Sequence, residues 1–270
     1  MSMSLNLNDA EAARLLEAMT TIAAQASAAI LAIAAPKTRT KADASPVTEA
    51  DEAAEAVIVQ GLRAISPSIA IVSEESATAE TPAPTGPFFM VDPLDGTREF
   101  IAGRNEYTVN ISLIVDGEPT LGVVTAPALG LAWRGRPGRA ERLSLDGSNA
   151  AEIRVRSWPA AGAMALVSRS HLDPASVALL ERLPGIAQTE CGSAVKFCRV
   201  AEGAADLYPR LAPTREWDVA AGHAVLKAAG GCVVRPDGSR IPYGDAAGGF
   251  LIPSFVAVGD LAAAANLCAA

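Results

Sequence analysis

A chain of 270 residues, half of them hydrophobic, 19% charged and 4% aromatic, is too apolar for disorder and long enough for one large domain or two joined ones. Lys plus Arg total 22 against 30 for Asp plus Glu, and the resulting net charge of −8 excludes a nucleic-acid partner gripped through the overall field. No run of about 20 apolar residues is present to span a membrane, and no basic-then-apolar leader opens the chain.

The first quarter reads as two helices. From about Asn8 to Ala35, Leu15, Leu16, Met19, Ile22 and Ala23 recur at helical spacing, and Pro36 ends the run. The N-terminal 40 residues are expected to serve as a packing helix, one that could also lie at a homodimer face. Lys37 to Ser45 is a polar loop. Thr48 is a good N-cap with Asp51 three positions on, and Val57, Ile58, Leu62 and Ile65 give the second helix its buried stripe. Strands follow. Ile69 to Val72 leads into Ser73-Glu74-Glu75-Ser76, the Pro-rich stretch Thr78 to Pro87 is a loop, and Phe88 to Val91 ends abruptly at Asp92-Pro93. Tyr107 to Val115 and Thr120 to Ala126 flank Asp116-Gly117, a hairpin turn signal, and another strand is expected from Leu131 to Arg134. The turn-rich stretch Gly135 to Trp158 suggests a boundary near residue 155, dividing the chain into halves 1–155 and 156–270. Beyond it, strands at Met164–Val167, Cys232–Val234 and Val256–Val258 alternate with helices near Pro174–Leu183, Ala194–Glu202, Asp218–Ala229 and Asp260–Ala269. That alternation predicts an α/β half following an α+β half. The four cysteines, Cys191, Cys198, Cys232 and Cys268, form no CxxC pair and are expected as reduced, mostly buried thiols of a cytosolic protein. Two histidines, His171 and His223, are too few for a His-rich zinc site.

The most informative stretch is Val91-Asp92-Pro93-Leu94-Asp95-Gly96-Thr97. A strand delivers two carboxylates three residues apart, Pro93 stiffens the backbone between them, and Gly96 permits close approach. Backbone N–H groups from Gly96 to Arg98 would form a phosphate cradle. Carboxylates beside such a cradle repel the ligand unless divalent cations intervene, and oxygen-only donors point to Mg²⁺. Taken alone the stretch is equally an ordinary turn. Ser73-Glu74-Glu75-Ser76 and Trp217-Asp218 supply the companions that change this.

Together, EES (Glu74 to Ser76), DPLDGT (Asp92 to Thr97), WDVAAG (Trp217 to Gly222) and SPVTEAD (Ser45 to Asp51) resemble the inositol monophosphatase superfamily of Mg²⁺-dependent, lithium-sensitive phosphatases. More narrowly, DPLDGTREFIAGRNEYTVNISLI and GSAVKFCRVAEGAADLYPRLAPTREWD look like its CysQ-type branch of 3′(2′),5′-bisphosphate nucleotidases, which serve sulfur metabolism. The resemblance implies a layered α-β-α-β-α sandwich. Its N-terminal α+β half carries most metal ligands, and its C-terminal α/β half carries Asp218 and the specificity segment. It implies two or three Mg²⁺ ions: one on Glu74, Asp92 and the Leu94 carbonyl, one on Asp92, Asp95 and Asp218, and a weaker third near Glu74. Glu74 and Thr97 would orient or deprotonate water, with Asp51 hydrogen-bonding Thr97. Asp95, Gly96, Thr97, Arg98, Gly192, Ser193, Lys196 and Asp218 are the expected substrate contacts, with Tyr208, Arg210 and Arg215 as further candidates. Glu75 is read as a solvated loop acid and His223 as packing. The implied reaction removes the 3′-phosphate of adenosine 3′,5′-bisphosphate. Inositol-1-phosphate and fructose-1,6-bisphosphate are the alternative substrates, and a non-catalytic ligand-binding relative is the remote alternative. A cytoplasmic protein is implied, or one held peripherally at the inner membrane.

Overall fold

Helix α1 (Asp9–Leu31) opens on a capping box in which Asn8 and Glu11 exchange side-chain and backbone hydrogen bonds. It ends at Leu31, short of the expected stop at Pro36. The computed structural model describes residues 7–34, 36–41, 46–170, 172–183 and 185–268, so Ser45, the loop residues before it from 42, and His171 lie outside the described residues. β1 (Thr38–Thr40) and β2 (Pro46–Thr48) pair antiparallel, and α2 (Glu49–Ile65) starts at once behind Thr48. Thr48 and Asp51 form the full capping box that their spacing predicts.

Seven strands then build a sheet in simple sequential order: β3 (Ala70–Ser73), β4 (Phe88–Asp95), β5 (Thr108–Val115), β6 (Glu118–Ala126), β7 (Leu131–Arg136), β8 (Arg139–Ser144) and β9 (Ala151–Ile153). The short helix α3 (Thr97–Ile101) stands between β4 and β5. Asp116 and Gly117 take φ values of 52° and 73°, the two left-handed positions that the β5–β6 hairpin turn requires. β4 does not stop at Val91 as expected. It runs on through Asp95, with a register break between Asp92 and Asp95. Pro93 has no N–H for the ladder, so pairing lapses there and resumes at Asp95 opposite Thr108. The stretch after Gly135, expected as turns, instead supplies β8 and β9. In β8 only Ala140 and Leu143 face inward, and the charged residues between them gave the segment its polar texture.

The second half contains β10 (Met164–Ser168), α4 (Pro174–Glu181), β11 (Ala187–Cys191), α5 (Val195–Ala201), β12 (Leu207–Arg210), β13 (Thr214–Arg215), α6 (Glu216–Ala228), β14 (Cys232–Val234), β15 (Leu251–Ile252), β16 (Phe255–Val258) and α7 (Leu261–Cys268). Five of these strands form a second sheet in the order β11-β10-β12-β16-β14, while β13 and β15 pair apart from it.

Three apolar cores stack these layers. Met19, Ile22, Ile30, Ile58 and Leu62 of α1 and α2 meet Phe89, Val91, Ile111 and Leu113 on one face of the first sheet. Phe88, Met90 and Trp133 on its other face meet Phe197 of α5, Val225 of α6, and Tyr208 and Phe255 of the second sheet. Ala165, Leu207 and Val258 on the far face of that sheet pack with Leu179 and Leu180 of α4 and Ala264 of α7. The result is the α-β-α-β-α sandwich. Because β4 is covered on both faces, it reads as an unbroken apolar run, with alternate residues serving opposite cores. α6 lies directly on β6 and β7: a Cβ at Gly122 would sit 2.5 Å from the Ala221 carbonyl oxygen, and one at Gly135 2.8 Å from Val225 Cα. Among the described residues no helix is long and apolar enough to cross a membrane.

Candidate active site

The β3–β4 pair is parallel, with Ser73, the last residue of β3, in register with Val91. Glu74 therefore emerges beside Asp92, its N–H donating to the Val91 carbonyl at 3.1 Å. Asp92 is buried, and one of its oxygens accepts the Leu94 N–H at 3.0 Å. The third acid arrives from the other half. α6 begins at Glu216, two residues earlier than predicted, which puts Asp218 in its first turn, where it accepts from the Arg215 N–H at 3.1 Å and from the Thr214 hydroxyl. Glu74, Asp92 and Asp218 each bring one oxygen within 4.8 Å of the others, the one such group among the described residues. Asp95 stands beside this trio. Its Oδ2 accepts the Ala194 N–H at 2.7 Å and lies 3.4 Å from the Thr108 hydroxyl and 3.5 Å from Asn110 Nδ2.

Behind the carboxylates, Asp51 does two jobs with its two oxygens. Oδ2 accepts from the Thr48 N–H and hydroxyl, both at 2.7 Å, and Oδ1 accepts from the Thr97 hydroxyl at 3.0 Å. The helix-capping acid is thus also the anchor of Thr97, whose oxygen lies 3.2 Å from the Leu94 carbonyl.

Crowding like charges out of water raises their proton affinity. Burial lifts Glu74 to about 7, with Lys41 opposing and Asp218 adding to the rise. Burial and Asp218 likewise raise Asp95 to about 7 against the pull of Lys196. Asp92 is driven well above the usual carboxylate range by burial, then by Glu74, Asp95 and Asp218. Asp51 is raised by burial, with its threonine hydrogen bonds resisting.

Glu74, Asp92, Leu94, Asp95, Gly96, Thr97, Arg98, Gly192, Ser193, Lys196 and Asp218 all line a single open cleft, together with Tyr208 and Arg210. Several expectations need correcting in detail. The Gly192 N–H is not free for a nucleoside, because it donates to Glu106 Oε2 at 3.0 Å. Lys196 is buried, its ammonium donating to the Ser193 carbonyl at 2.7 Å and the Cys191 carbonyl at 3.2 Å while lying 4.8 Å from the centre of the Tyr208 ring. Tyr208 itself is a core residue, edge-on to Phe197 and Phe255. Arg215 turns away to the Gly249 carbonyl at 2.6 Å. Glu75 is not a solvated acid: only 9% of its side chain is exposed, and it is paired with Lys41 at 2.7 Å. His223 is packing, as expected, buried with Nδ1 3.0 Å from the Tyr243 hydroxyl.

Lys41 escaped the sequence reading altogether. Its ammonium sits 2.8 Å from Glu74 and 2.7 Å from Glu75, a cation already inside the acid cluster. Burial alone would pull it down, but the two glutamates outweigh that and raise it above the usual lysine range. A single lysine in a polar loop carries no local signal of such a role. Glu99 and Ser170 also line the cleft, joined by a 2.6 Å hydrogen bond from the serine, and nothing in their spacing announces it.

A family model described as the inositol monophosphatase family matches residues 11–269. A 3′(2′),5′-bisphosphate nucleotidase CysQ of Salmonella typhimurium is 44% identical over 204 residues, covering 75% of this chain and 81% of that protein. A histidinol-phosphatase of Mycobacterium tuberculosis is 35% identical over 215 residues, covering 77% of this chain and 81% of that one. Among solved structures, CysQ from Bacteroides thetaiotaomicron superposes with a TM-score of 0.77 at 32% identity, over 91% of this chain and 97% of its own.

Proposed function

Since this chain belongs to the inositol monophosphatase family, a metal-dependent phosphatase family, we propose that it hydrolyses the 3′-phosphate of adenosine 3′,5′-bisphosphate to AMP and phosphate with the aid of Mg²⁺. The observation that carries this reading is the close approach of Glu74, Asp92 and Asp218, three acids from three different elements in one cleft. The donor set suits a small hard cation: carboxylate oxygens and the Leu94 carbonyl, with no sulfur or imidazole grouped with them among the described residues. Asn110, whose Nδ2 lies 3.5 Å from Asp95, has a buried Oδ1 with no hydrogen-bond partner among the described residues. Glu74, Asp92 and Leu94 would hold one Mg²⁺, and Asp92, Asp95 and Asp218 a second. A weaker third ion near Glu74 belongs to the same reading.

Bound Mg²⁺ supplies the positive charge that admits a phosphate dianion among carboxylates and makes water more acidic. The protein's own groups do the rest. Asp51, with Oδ2 committed to Thr48, accepts a hydrogen bond from the Thr97 hydroxyl on Oδ1, which leaves Thr97 Oγ1 to accept one from a water in the cleft. Glu74, in the same cleft, would receive that water's proton at its carboxylate as the water attacks phosphorus, while the bond from phosphorus to the ribose 3′-oxygen breaks and that oxygen leaves as the 3′-hydroxyl of AMP with a proton from solvent water. Backbone N–H groups at Gly96 to Arg98 would cradle the phosphoryl oxygens. On the second-half wall, Lys196 and Arg210 give the cleft a cationic side, and Arg210 Nε is buried with no partner among the described residues. A second phosphate finds its counter-charge there.

The test is turnover of adenosine 3′,5′-bisphosphate, inositol-1-phosphate, fructose-1,6-bisphosphate and histidinol phosphate side by side with Mg²⁺. We expect kcat/KM for the bisphosphate nucleotide to exceed the others by at least about 10-fold, equivalent to about 1.4 kcal/mol of transition-state discrimination. Equal efficiencies, or a preference for histidinol phosphate, would reassign the substrate, and no turnover at all would make the chain a binding relative. The same reading places the protein in the cytoplasm, peripheral attachment to the inner membrane being the alternative, and a homodimer through α1 is tested by sedimentation.

A further inference from the structure

Glu106 lies between α3 and β5, outside the short acidic motifs and far in sequence from the second half, yet three contacts converge on it. Its Oε2 accepts the Gly192 N–H at 3.0 Å and is ion-paired with Arg169 at the end of β10. Its backbone carbonyl is pressed from two sides: a Cβ at Gly192 would sit 2.6 Å from that oxygen, and one at Gly96 3.2 Å. Glu106 is therefore wedged between the turn that follows Asp95 and the turn that precedes α5.

The second of these turns is held in an uncommon shape. Ser193 adopts φ of +46°, a left-handed conformation that a serine keeps only when its surroundings enforce it. The Lys196 ammonium secures the turn's carbonyls from within, and Glu106 secures its N–H from the opposite half. What the turn delivers is the Ala194 N–H, aimed at Asp95 Oδ2 at 2.7 Å. Thr108 and Asn110 approach that same oxygen, at 3.4 Å and 3.5 Å. With the donors gathered on Oδ2, Oδ1 is the oxygen left for a cation.

We propose that Glu106 is a positioning residue: by holding the Gly192–Ala194 turn, it aims the Ala194 N–H at Asp95 and so orients the free oxygen of Asp95 for a divalent ion. The link carries an effect from the second-half wall of the cleft to the ion site of the first. It rests on the reading above that Asp95 is a metal ligand.

The experiment compares E106A and E106Q in the full chain, reading Mg²⁺ affinity by titration calorimetry without substrate, kcat and KM separately, and thermal stability. E106A is expected to weaken Mg²⁺ binding and lower kcat by about 10-fold each, the usual cost of losing a group that orients a ligand. E106Q keeps an oxygen for the Gly192 N–H and should recover most of both. A folded E106A with wild-type Mg²⁺ affinity would overturn the proposal, and so would an E106Q as impaired as E106A, which would make the Arg169 ion pair the relevant contact. Should E106A not fold, E106D, which withdraws the carboxylate by one methylene, takes its place and is read the same way. A wild type that binds Mg²⁺ but spares the bisphosphate nucleotide would sink the substrate assignment alone, because the calorimetric comparison needs no substrate.

Discussion

Two buried aspartates, Asp92 at 1% exposure and Asp206 at 2%, solve the same problem in opposite ways. Asp206 is met on both oxygens by Arg156, at 2.7 Å and 2.6 Å, and accepts the Met164 N–H at 2.7 Å. The fold brings its counter-charge along. Asp92 is surrounded by Glu74, Asp95 and Asp218, and the ammonium of Lys41 is occupied with Glu74 and Glu75. One aspartate is a finished part of the scaffold. The other is left in a charge imbalance that a bound proton or an external cation must resolve, and this difference separates structural acids from acids kept for chemistry.

The contrast is broken most sharply by making both acids neutral. Asp92→Asn should lower kcat/KM by roughly 100-fold or more, since a neutral amide is a poor hard-cation ligand and the site loses several kcal/mol of charge stabilisation. In chelator at pH 8 the same variant should melt higher than wild type, because one of the crowded acids is gone. Asp206→Asn should do the reverse. Its activity per folded molecule should hold, while stability falls by about 2 kcal/mol, a value discounted because the Arg156 side chain is 42% exposed. Thermal melts with and without Mg²⁺, beside turnover, read all four outcomes.

Acidity sharpens the comparison further. Glu74 and Asp95 have folded values near 7 against ordinary values of 4.5 and 3.8, so the metal-free fold binds protons that the unfolded chain does not. Their contribution to stability is fully present below the ordinary values and is lost as the pH rises through about 7. The chelated protein should therefore become more stable on acidification from pH 8 toward pH 5, and saturating Mg²⁺ should remove that trend. A flat chelated profile would show that the acids are not strained.

The smallest effect comes from His223, which burial, with Lys227 and Arg240, holds down at about 3 against an ordinary 6.5. Here the unfolded chain binds the extra proton, so stability present above 6.5 is lost as the pH falls toward 3. In Mg²⁺-loaded protein this one group contributes a slope of at most about 1.4 kcal/mol per pH unit. His223→Gln should flatten the slope, whatever it does to absolute stability.

What could be read in advance follows the range of the interactions. The Thr48–Asp51 cap, the Asp116-Gly117 hairpin and the apolar runs that open β4 and fill β5 and β6 are local patterns, and they were legible. β11 was not: Ala187 to Glu190 are exposed on a sheet edge, so no apolar periodicity marks them. The strand register carrying Asp95 past Pro93 depends on a partner in β5, which spacing within DPLDGT does not reveal. At the site, acids clustered in short motifs announced themselves. Lys41 and Glu106 did not, because each matters through a contact to a residue distant in the chain.

The way α6 lies against β6 and β7 bears on how this protein can be taken apart and recombined. A cut near residue 155 would fall between the sheets but through the middle core, leaving Phe88, Met90 and Trp133 on one fragment and Phe197, Tyr208 and Phe255 on the other. Neither fragment would own a complete interior, so the two should be recoverable only when produced together. Hybrids between relatives meet a stricter condition. Gly122 and Gly135 come from the first fragment, and Ala221 and Ala224, which they admit so closely, come from the second. A graft that brings a larger residue to either surface would lift the helix, and with it the carboxylate in its first turn. These two small-residue faces must be inherited as a pair.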